Sequence, residues 1–166
     1  MAMHLSISRG ARLVAIIGIA LMVAACANKP KTAGVTGGVG GTATPGSSQD
    51  FVVNVGDRVF FETDSTELTI VSRTTLDRQV EWLKQYSRYA ITIEGHADER
   101  GTREYNIALG ARRAEVVRDY LSSRGVGSNR FRTISYGKER PVAVCNDISC
   151  WSQNRRAVTV VNTAGS

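Results

Sequence analysis

The sequence predicts an α+β domain, a two-layer α/β sandwich with the order β-α-β-α-β-β and both helices on one face of a mixed sheet. Two observations support this prediction. Short apolar stretches, several of them alternating with polar residues as in half-buried strands, surround two longer stretches whose apolar residues recur every three or four positions, as in amphipathic helices. Two helices suffice to cover one face of a sheet, and connections through helices favour parallel neighbouring strands.

The domain is predicted to begin with two short strands. Residues 51–55 and 58–62 are rich in apolar residues and are separated by a Gly-Asp pair, which favours a turn. In the second strand Val59 and Phe61 should lie on one face and Phe60 on the other, since side chains alternate along a strand. Residues 64–67 are interpreted as a polar connection to the first helix.

The first predicted helix covers about residues 69–86, and a strand with clean alternation follows at residues 89–94. The second helix covers about residues 104–123 and is closed by a glycine that suits a left-handed cap. Small residues on its inner stripe should let it lie close to the sheet. The predicted core residues are Leu76, Val80, Leu83, Ile91 and Ile93, and on the second helix Ile107, Gly110, Ala111, Ala114, Val117 and Leu121.

The last two predicted strands are residues 131–136 and 157–161, with a loop and a short helical turn near residues 151–156 between them. The loop contains Cys145 and Cys150. In the oxidising compartment that an exported chain meets, a nearby pair of this kind is expected to form a disulfide, and the alternative is two free thiols.

The N-terminus has the pattern of an export signal. Two arginines precede an apolar run over residues 13–23, which is too short for a membrane span of roughly 20 residues, and small residues precede Cys26. Val23 to Cys26 resembles the lipobox of bacterial lipoproteins, in which the cysteine is acylated. We therefore predict a signal peptide at residues 1–25, lipid attachment at Cys26 and, because residue 27 is Ala rather than Asp, the outer membrane.

A segment rich in Gly, Ala and Thr separates the lipid anchor from the domain. Residues 26–49 should form a flexible linker because they bury little apolar surface, and the domain is placed at residues 50–163. Cleavage of the signal lowers the formal net charge from +6 to +4. The acidic residues are interspersed and no basic run is interleaved with aromatic residues, so nucleic-acid binding is not predicted.

Asp98, Asn106, Leu109 and Arg113 form the candidate ligand site. The last three are spaced by three and four residues, so they share one face of the second helix. The guanidinium of Arg113 matches a carboxylate, and Asp98 on the preceding loop matches an ammonium group. The two residues could bind an amino-acid ligand or could instead pair with each other, and their spacing favours neither interpretation.

Neither catalysis nor a metal site is predicted. The mature chain contains a single histidine, His96, and no nucleophile beside a supported base. The spacing of His96, Asp98 and Glu99 matches no metal site, and His96 is interpreted as a hydrogen-bonded loop residue. We expect a protein that is not an enzyme and has no cofactor.

Three segments of the chain resemble the OmpA-like peptidoglycan-binding domain family, and the resemblance covers about residues 58–161. The segments are Gly95-His-Ala-Asp-Glu-Arg-Gly-Thr-Arg-Glu-Tyr-Asn-Ile-Ala-Leu-Gly-Ala-Arg-Arg-Ala114, Ser135-Tyr-Gly-Lys-Glu-Arg-Pro141 and Asn154-Arg-Arg-Ala157. The resemblance implies a non-covalent site for the diaminopimelate of peptidoglycan stem peptides. Asp98 and Arg113 would hold the free amino-acid end of diaminopimelate, with Asn106 and Leu109 beside them.

The resemblance also implies further site residues and partners. The family's Phe-Asp pair corresponds to Phe61 and Glu62, so a contact there requires either the backbone or tolerance of the longer acid. Arg155 would line the same pocket. TolB is implied as a partner that competes for an overlapping surface, and TolA as a further partner. The paired cysteines are not part of the family pattern and are given no binding role.

Together these features predict a lipoprotein of the outer membrane whose periplasmic domain tethers that membrane to the cell wall, with roles in envelope integrity and cell division. The alternative is a protein-interaction module whose main ligand is a TolB-like periplasmic protein. We expect Asp98→Ala and Arg113→Ala each to abolish binding to peptidoglycan and to leave the circular dichroism spectrum unchanged.

Overall fold

The computed structural model describes residues 43–163, so the predicted signal peptide, Cys26 and the linker up to residue 42 lie outside the described residues. The described part contains one sheet and four α-helices. The strands are β1 (Arg58–Phe60), β2 (Tyr89–His96), β3 (Phe131–Gly137) and β4 (Arg156–Thr163); the helices are α1 (Ser48–Asp50), α2 (Ile70–Gln85), α3 (Arg103–Ser123) and α4 (Ile148–Asn154). No helix in this part is both long enough and apolar enough to span a membrane.

The sheet has the strand order β1-β4-β2-β3 and is mixed, as predicted. Strands β2 and β3 are parallel neighbours joined through α3, whereas β4 runs antiparallel to both β1 and β2. The helical connection through α2 therefore does not make β1 and β2 neighbours, because the last strand of the chain inserts between them.

One face of the sheet carries the core. Cross-strand partners share a face, and the inward pairs are Val59 with Ala157, Ile91 with Val161 and Ile93 with Thr159. The predicted helix stripes pack on the same face, since Leu76, Val80, Leu83, Ala114, Val117 and Leu121 join these residues in one buried cluster. Phe60 lies on the opposite face and is 46% exposed. The fold class, the α+β sandwich, is confirmed.

The strand predicted at residues 51–55 is wrong. Phe51–Gly56 forms a π-helical turn directly after α1. Phe51 is fully buried against the ring of Trp82, at a centroid distance of 4.9 Å, whereas Val52 and Val53 are exposed. Burial of Phe51 and partial burial of Val55 four residues later give a helical pattern, which a run of apolar residues in sequence does not distinguish from a strand.

The last residues of the predicted flexible linker contact the domain. The Gly46 carbonyl accepts hydrogen bonds from Nη2 of Arg88 at 2.6 Å and from the hydroxyl of Tyr89 at 2.8 Å. Gly46 has a φ of +76°, and a Cβ there would overlap the ring of Tyr86. Only glycine fits this turn, which places the chain against Tyr86 and Tyr89 before α1 begins.

A disulfide joins Cys145 to Cys150, with their Cα atoms 5.6 Å apart. It spans the start of α4, whose N-cap is Asp147. The Asn154 side chain at the end of α4 accepts hydrogen bonds from the backbone N–H groups of Val142 and Ala143 and donates to the Ala143 carbonyl. The loop before α4 is thus attached to both ends of this helix.

Candidate functional site

The loop between β2 and α3 positions the first predicted site residue, Asp98. Thr102 caps α3, since its hydroxyl accepts a hydrogen bond from the Tyr105 N–H. The Asn106 amide, on the first turns of the helix, donates to the carbonyls of Arg100 and Thr102 at 2.7 and 3.0 Å. Asn106 therefore supports the loop, and its donors are used within the chain.

A second support for this loop comes from the turn after β3. Nζ of Lys138 donates to the carbonyls of Glu99 and Gly101, at 3.2 and 2.7 Å. Gly101 has a φ of +82°, a conformation that favours glycine, and it allows the chain to reverse into the helix. The loop is held from both sides.

The loop and α3 enclose one side of a cavity of about 260 Å³. Four predicted site residues, Asp98, Asn106, Leu109 and Arg113, line it together. The other lining residues are Thr63, Asp64, Arg100, Gly101 and Tyr105. The structure thus brings a carboxylate and a guanidinium from different elements to one cavity, and Leu109, only 5% exposed, supplies apolar contact.

Arg113 is fully buried and is held by backbone carbonyls. Nε donates to Ser65, Nη1 to His96 and Nη2 to Glu62, at 2.9, 2.8 and 3.1 Å. The guanidinium also lies over the ring of Phe61, 5.1 Å from its centroid. Since arginine has five N–H donors, two of them form no hydrogen bond between the described residues.

Burial, and after it the charge of Arg155, lower the pKa of Arg113 to about 10, against the opposing effect of Asp98. The guanidinium therefore stays protonated at neutral pH. The expectation that Arg113→Ala leaves the fold intact is at odds with these contacts, because the substitution would leave three carbonyls without their donor and empty a buried volume.

Asp98 is paired with two other arginines. Its carboxylate accepts hydrogen bonds from the Arg100 backbone N–H and guanidinium and from Nη1 of Arg155. Burial alone would raise the pKa of Asp98, but these hydrogen bonds lower it overall, so the group is ionised at neutral pH. Among the described residues Asp98 forms ion pairs with Arg100 and Arg155, and the direct pair with Arg113 is not formed.

Phe61, Glu62 and Arg155 lie beside this cavity and border an adjoining groove of about 660 Å³. Glu62 meets the site through its backbone, because its carbonyl accepts from Arg113. The Phe61 carbonyl accepts from Nε of Arg155 at 3.1 Å. The longer acid at position 62 is therefore compatible with the contacts made there, since they do not use its carboxylate.

Five of the residues that line the cavity were not predicted as site residues, and three of these, Asp64, Arg100 and Tyr105, carry polar or charged groups on long or ionised side chains. Asp64 has a φ of +55°, unusual for a residue other than glycine, and its carboxylate accepts a hydrogen bond from the Tyr105 hydroxyl. It lies in the segment interpreted only as a polar connection. One feature of the sequence indicated a tight turn at Asp64, because Asp can adopt the left-handed conformation that such turns require.

His96 is the last residue of β2, and it is buried with neither ring nitrogen hydrogen-bonded within the described residues. Its interpretation as a hydrogen-bonded loop residue is wrong. Burial, and after it the charges of Arg156, Arg140 and Arg58, lower the pKa of His96 to about 4. The ring is therefore neutral at pH 7. Residues 43–163 contain no group of three His, Cys, Asp or Glu side chains that could hold a metal.

Comparisons with known proteins identify the relatives of this chain. The OmpA family profile matches residues 60–156. The peptidoglycan-associated lipoprotein of Rhizobium meliloti (strain 1021) is 63% identical over 164 residues, which are 97% of this chain and 93% of that protein. The protein of the same name from Agrobacterium fabrum is 66% identical over 151 residues, 89% of this chain and 85% of its own.

Solved structures show the same fold. The crystal structure of the peptidoglycan-associated lipoprotein from Burkholderia pseudomallei superposes with a TM-score of 0.66 at 39% identity, covering 70% of this chain and all of that one (100%). The C-terminal domain of Helicobacter pylori MotB superposes with a TM-score of 0.61 at 23% identity, covering 66% of this chain and 86% of that one, and this likeness concerns the fold alone.

Proposed function

The chain belongs to the OmpA family and to the peptidoglycan-associated lipoproteins, and from this premise we propose that it binds the diaminopimelate of peptidoglycan stem peptides. In this proposal it is a lipoprotein of the outer membrane, anchored through acylated Cys26, with its domain in the periplasm. It ties the membrane to the cell wall as part of the Tol–Pal system, in which TolB and TolA are its partners, and so supports envelope integrity and cell division.

The observation that carries the proposal is the presence of two opposite charges, which do not pair with each other, in the lining of one cavity. Asp98 and Arg113 line a space of about 260 Å³, which suits the end of an amino-acid side chain. Both groups are ionised at neutral pH, and Arg113 has donors left for a carboxylate. A diaminopimelate side chain ends in an ammonium and a carboxylate on one carbon, and these charges match the two residues.

The proposed role is binding without chemical change. A few charge-assisted hydrogen bonds contribute roughly 1.5–3 kcal/mol each, and part of this is offset by immobilising the ligand. Affinity for one stem peptide should therefore be modest. Because the wall is a polymer with many copies of the ligand and the membrane carries many copies of the lipoprotein, attachment is stabilised by multivalency.

The test compares two aspartates. Asp98→Asn keeps the side chain's size and one oxygen for Arg155 but removes the charge that would bind the ammonium group. Asp119→Asn is the matched control, because Asp119 is an exposed residue of α3 that pairs with its neighbour Arg118. We expect Asp98→Asn to lose sedimentation with purified peptidoglycan, and Asp119→Asn to retain it, with both variants folded by circular dichroism.

Retention of wall binding by folded Asp98→Asn would contradict the assigned site. A further measurement identifies the ligand, since soluble stem peptides that contain diaminopimelate should release the unsubstituted protein from the wall. Peptides with lysine in place of diaminopimelate lack the second carboxylate and should not release it.

A second candidate function is favoured by the groove next to the site. Phe60, Val71 and Ile148 border it and are 46%, 77% and 60% exposed, and an apolar surface of this kind is typical of protein docking. A TolB-like periplasmic protein would then be the main ligand. In that case Val71→Asp would abolish the protein complex, and soluble stem peptides would leave the complex intact.

A further inference from the structure

The Asp98 carboxylate is already saturated with hydrogen bonds from its own chain. Oδ1 accepts from the backbone N–H and from Nε of Arg100, at 3.2 and 3.1 Å, and Oδ2 accepts from Nη2 of Arg100 and Nη1 of Arg155, at 2.7 and 3.3 Å. A carboxylate offers about four acceptor positions. An arriving ammonium group can therefore bind Asp98 only if one of these donors leaves.

The two arginines differ in their freedom to leave. The Arg155 side chain is 5% exposed and its Nε is bound to the Phe61 carbonyl. The Arg100 side chain is 41% exposed, and within the described residues its guanidinium donates hydrogen bonds to Asp98 alone. Removing Arg155 would leave a buried charge unpaired, whereas Arg100 can turn into water. The fork of Arg100 is the group that an ammonium would replace.

Trp151 holds Arg100 in this position from the other side. The Cζ atom of Arg100 lies 4.2 Å from the centroid of the indole ring, a cation–π contact. The indole N–H donates a hydrogen bond to the Glu99 carboxylate, so the ring is tied to the same loop. Trp151 is carried by α4, directly after Cys150 of the disulfide.

We propose that Arg100 is an internal competitor for the Asp98 carboxylate, kept there by Trp151, and that a ligand's ammonium group binds by displacing the Arg100 guanidinium. This inference rests on the proposed function. Arg100 and Trp151 are positioning residues, because neither has to touch the ligand. Their effect is on specificity: a charged ammonium replaces the charge-assisted bonds that Asp98 loses, whereas an acylated amine cannot, so the site discriminates against modified peptides.

The experiment measures binding of a soluble diaminopimelate tetrapeptide by titration calorimetry. Arg100→Gln removes the fork and keeps the backbone N–H. The matched control is Arg103→Gln, which removes the same charge three residues away, where the side chain is 65% exposed and pairs with Glu139. We expect Arg100→Gln to bind about five-fold tighter, because a larger fraction of molecules has a free carboxylate, and Arg103→Gln to bind as the unsubstituted chain does.

Two further measurements separate competition from a general structural effect. A tetrapeptide acetylated on the side-chain amine should show no gain with Arg100→Gln, since it brings no ammonium to Asp98. Ligand binding should also change the fluorescence of Trp151 as the guanidinium leaves its ring, and Arg100→Gln should abolish that change. Trp82, the other tryptophan, is 6% exposed in the core and provides a constant background.

Equal or weaker binding of the free tetrapeptide by Arg100→Gln overturns the inference. Trp151→Leu, which loosens Arg100 without touching Asp98, should give a smaller gain in affinity, and a loss would count against the proposal in the same way. The variant Asp98→Asn distinguishes a failure of the proposed function from a failure of the displacement step alone. If it binds as the unsubstituted chain does, the proposed function fails; if it loses binding while Arg100→Gln gains nothing, only the displacement step is wrong.

Discussion

Gly110 of α3 lies directly against Gly95 of β2, so that a Cβ built on Gly110 would come 2.8 Å from the Gly95 carbonyl oxygen and would overlap the hydroxyl of Ser135. Both glycines lie in ordinary helix and strand conformations, so the requirement here is space rather than backbone freedom. This approach sets the height of α3 above the sheet, and with it the position of Arg113 one turn further along the helix.

Gly110→Ala is therefore expected to lower the free energy of unfolding by about 3 kcal/mol or more, because the obstructing atoms belong to backbone and to a hydrogen-bonded serine and cannot move aside cheaply. Urea denaturation followed by circular dichroism measures this change. Ala108→Leu adds a larger side chain at an exposed position of the same helix and should leave the midpoint nearly unchanged. Equal stability of Gly110→Ala and the unsubstituted chain would show that the helix can lift without penalty.

Arg113→Lys should destabilise the domain although it preserves the charge. Lysine has one ammonium group and cannot reach the carbonyls of Glu62, Ser65 and His96 at once, so at least one buried carbonyl loses its donor. We expect a loss of about 2–3 kcal/mol in the free energy of unfolding. Arg112→Lys, at the exposed neighbouring position, is the control and should have no measurable effect in the same denaturation experiment.

His96 should make the stability of the domain depend on pH between about 6.5 and 4. Its pKa is lowered from 6.5 to about 4 in the folded protein, so the unfolded chain takes up a proton first as the pH falls. The contribution of His96 to the free energy of unfolding is complete above pH 6.5 and is progressively lost as the pH falls toward 4, by about 3 kcal/mol at most.

His96→Phe removes this titration and fills the same space next to Tyr136, whose ring centroid lies 5.5 Å from that of His96. Urea midpoints at pH 7.5 and 4.5 should differ less for His96→Phe than for the unsubstituted protein, with the carboxylates contributing equally to both. An identical pH dependence in the two proteins would show that the imidazole does not titrate in this window.

The disulfide should stabilise the domain modestly. For a loop as short as that between Cys145 and Cys150, the chain-entropy estimate is about 2 kcal/mol. The double variant Cys145→Ser/Cys150→Ser should melt at a lower temperature than the oxidised protein and at the same temperature as the protein treated with dithiothreitol. A melting temperature unaffected by dithiothreitol would mean that the bridge does not constrain the unfolded chain.

The order and kind of the main elements were predictable from local patterns in the sequence. The stripes of α2 and α3 and the alternation in β2 are local patterns, because one buried face repeats every 3.6 or 2 residues along the chain. The sequence also indicated the small residues that let α3 approach the sheet and, from their spacing and chemistry, four of the residues that line the cavity, Asp98, Asn106, Leu109 and Arg113. The helical turn that begins at Phe51 was not predicted, because a short apolar run does not distinguish a strand from a buried helix.

Which charged side chains contact each other depends on the three-dimensional fold. The spacing of Asp98 and Arg113 was equally compatible with a ligand site and with a direct ion pair. In the fold, Arg113 is bound by carbonyls from two other segments. Asp98 is bound by Arg100 from its own loop and by Arg155 from the far end of the domain. The insertion of β4 between β1 and β2 brings Arg155 there, and no spacing within one helix or strand encodes that meeting.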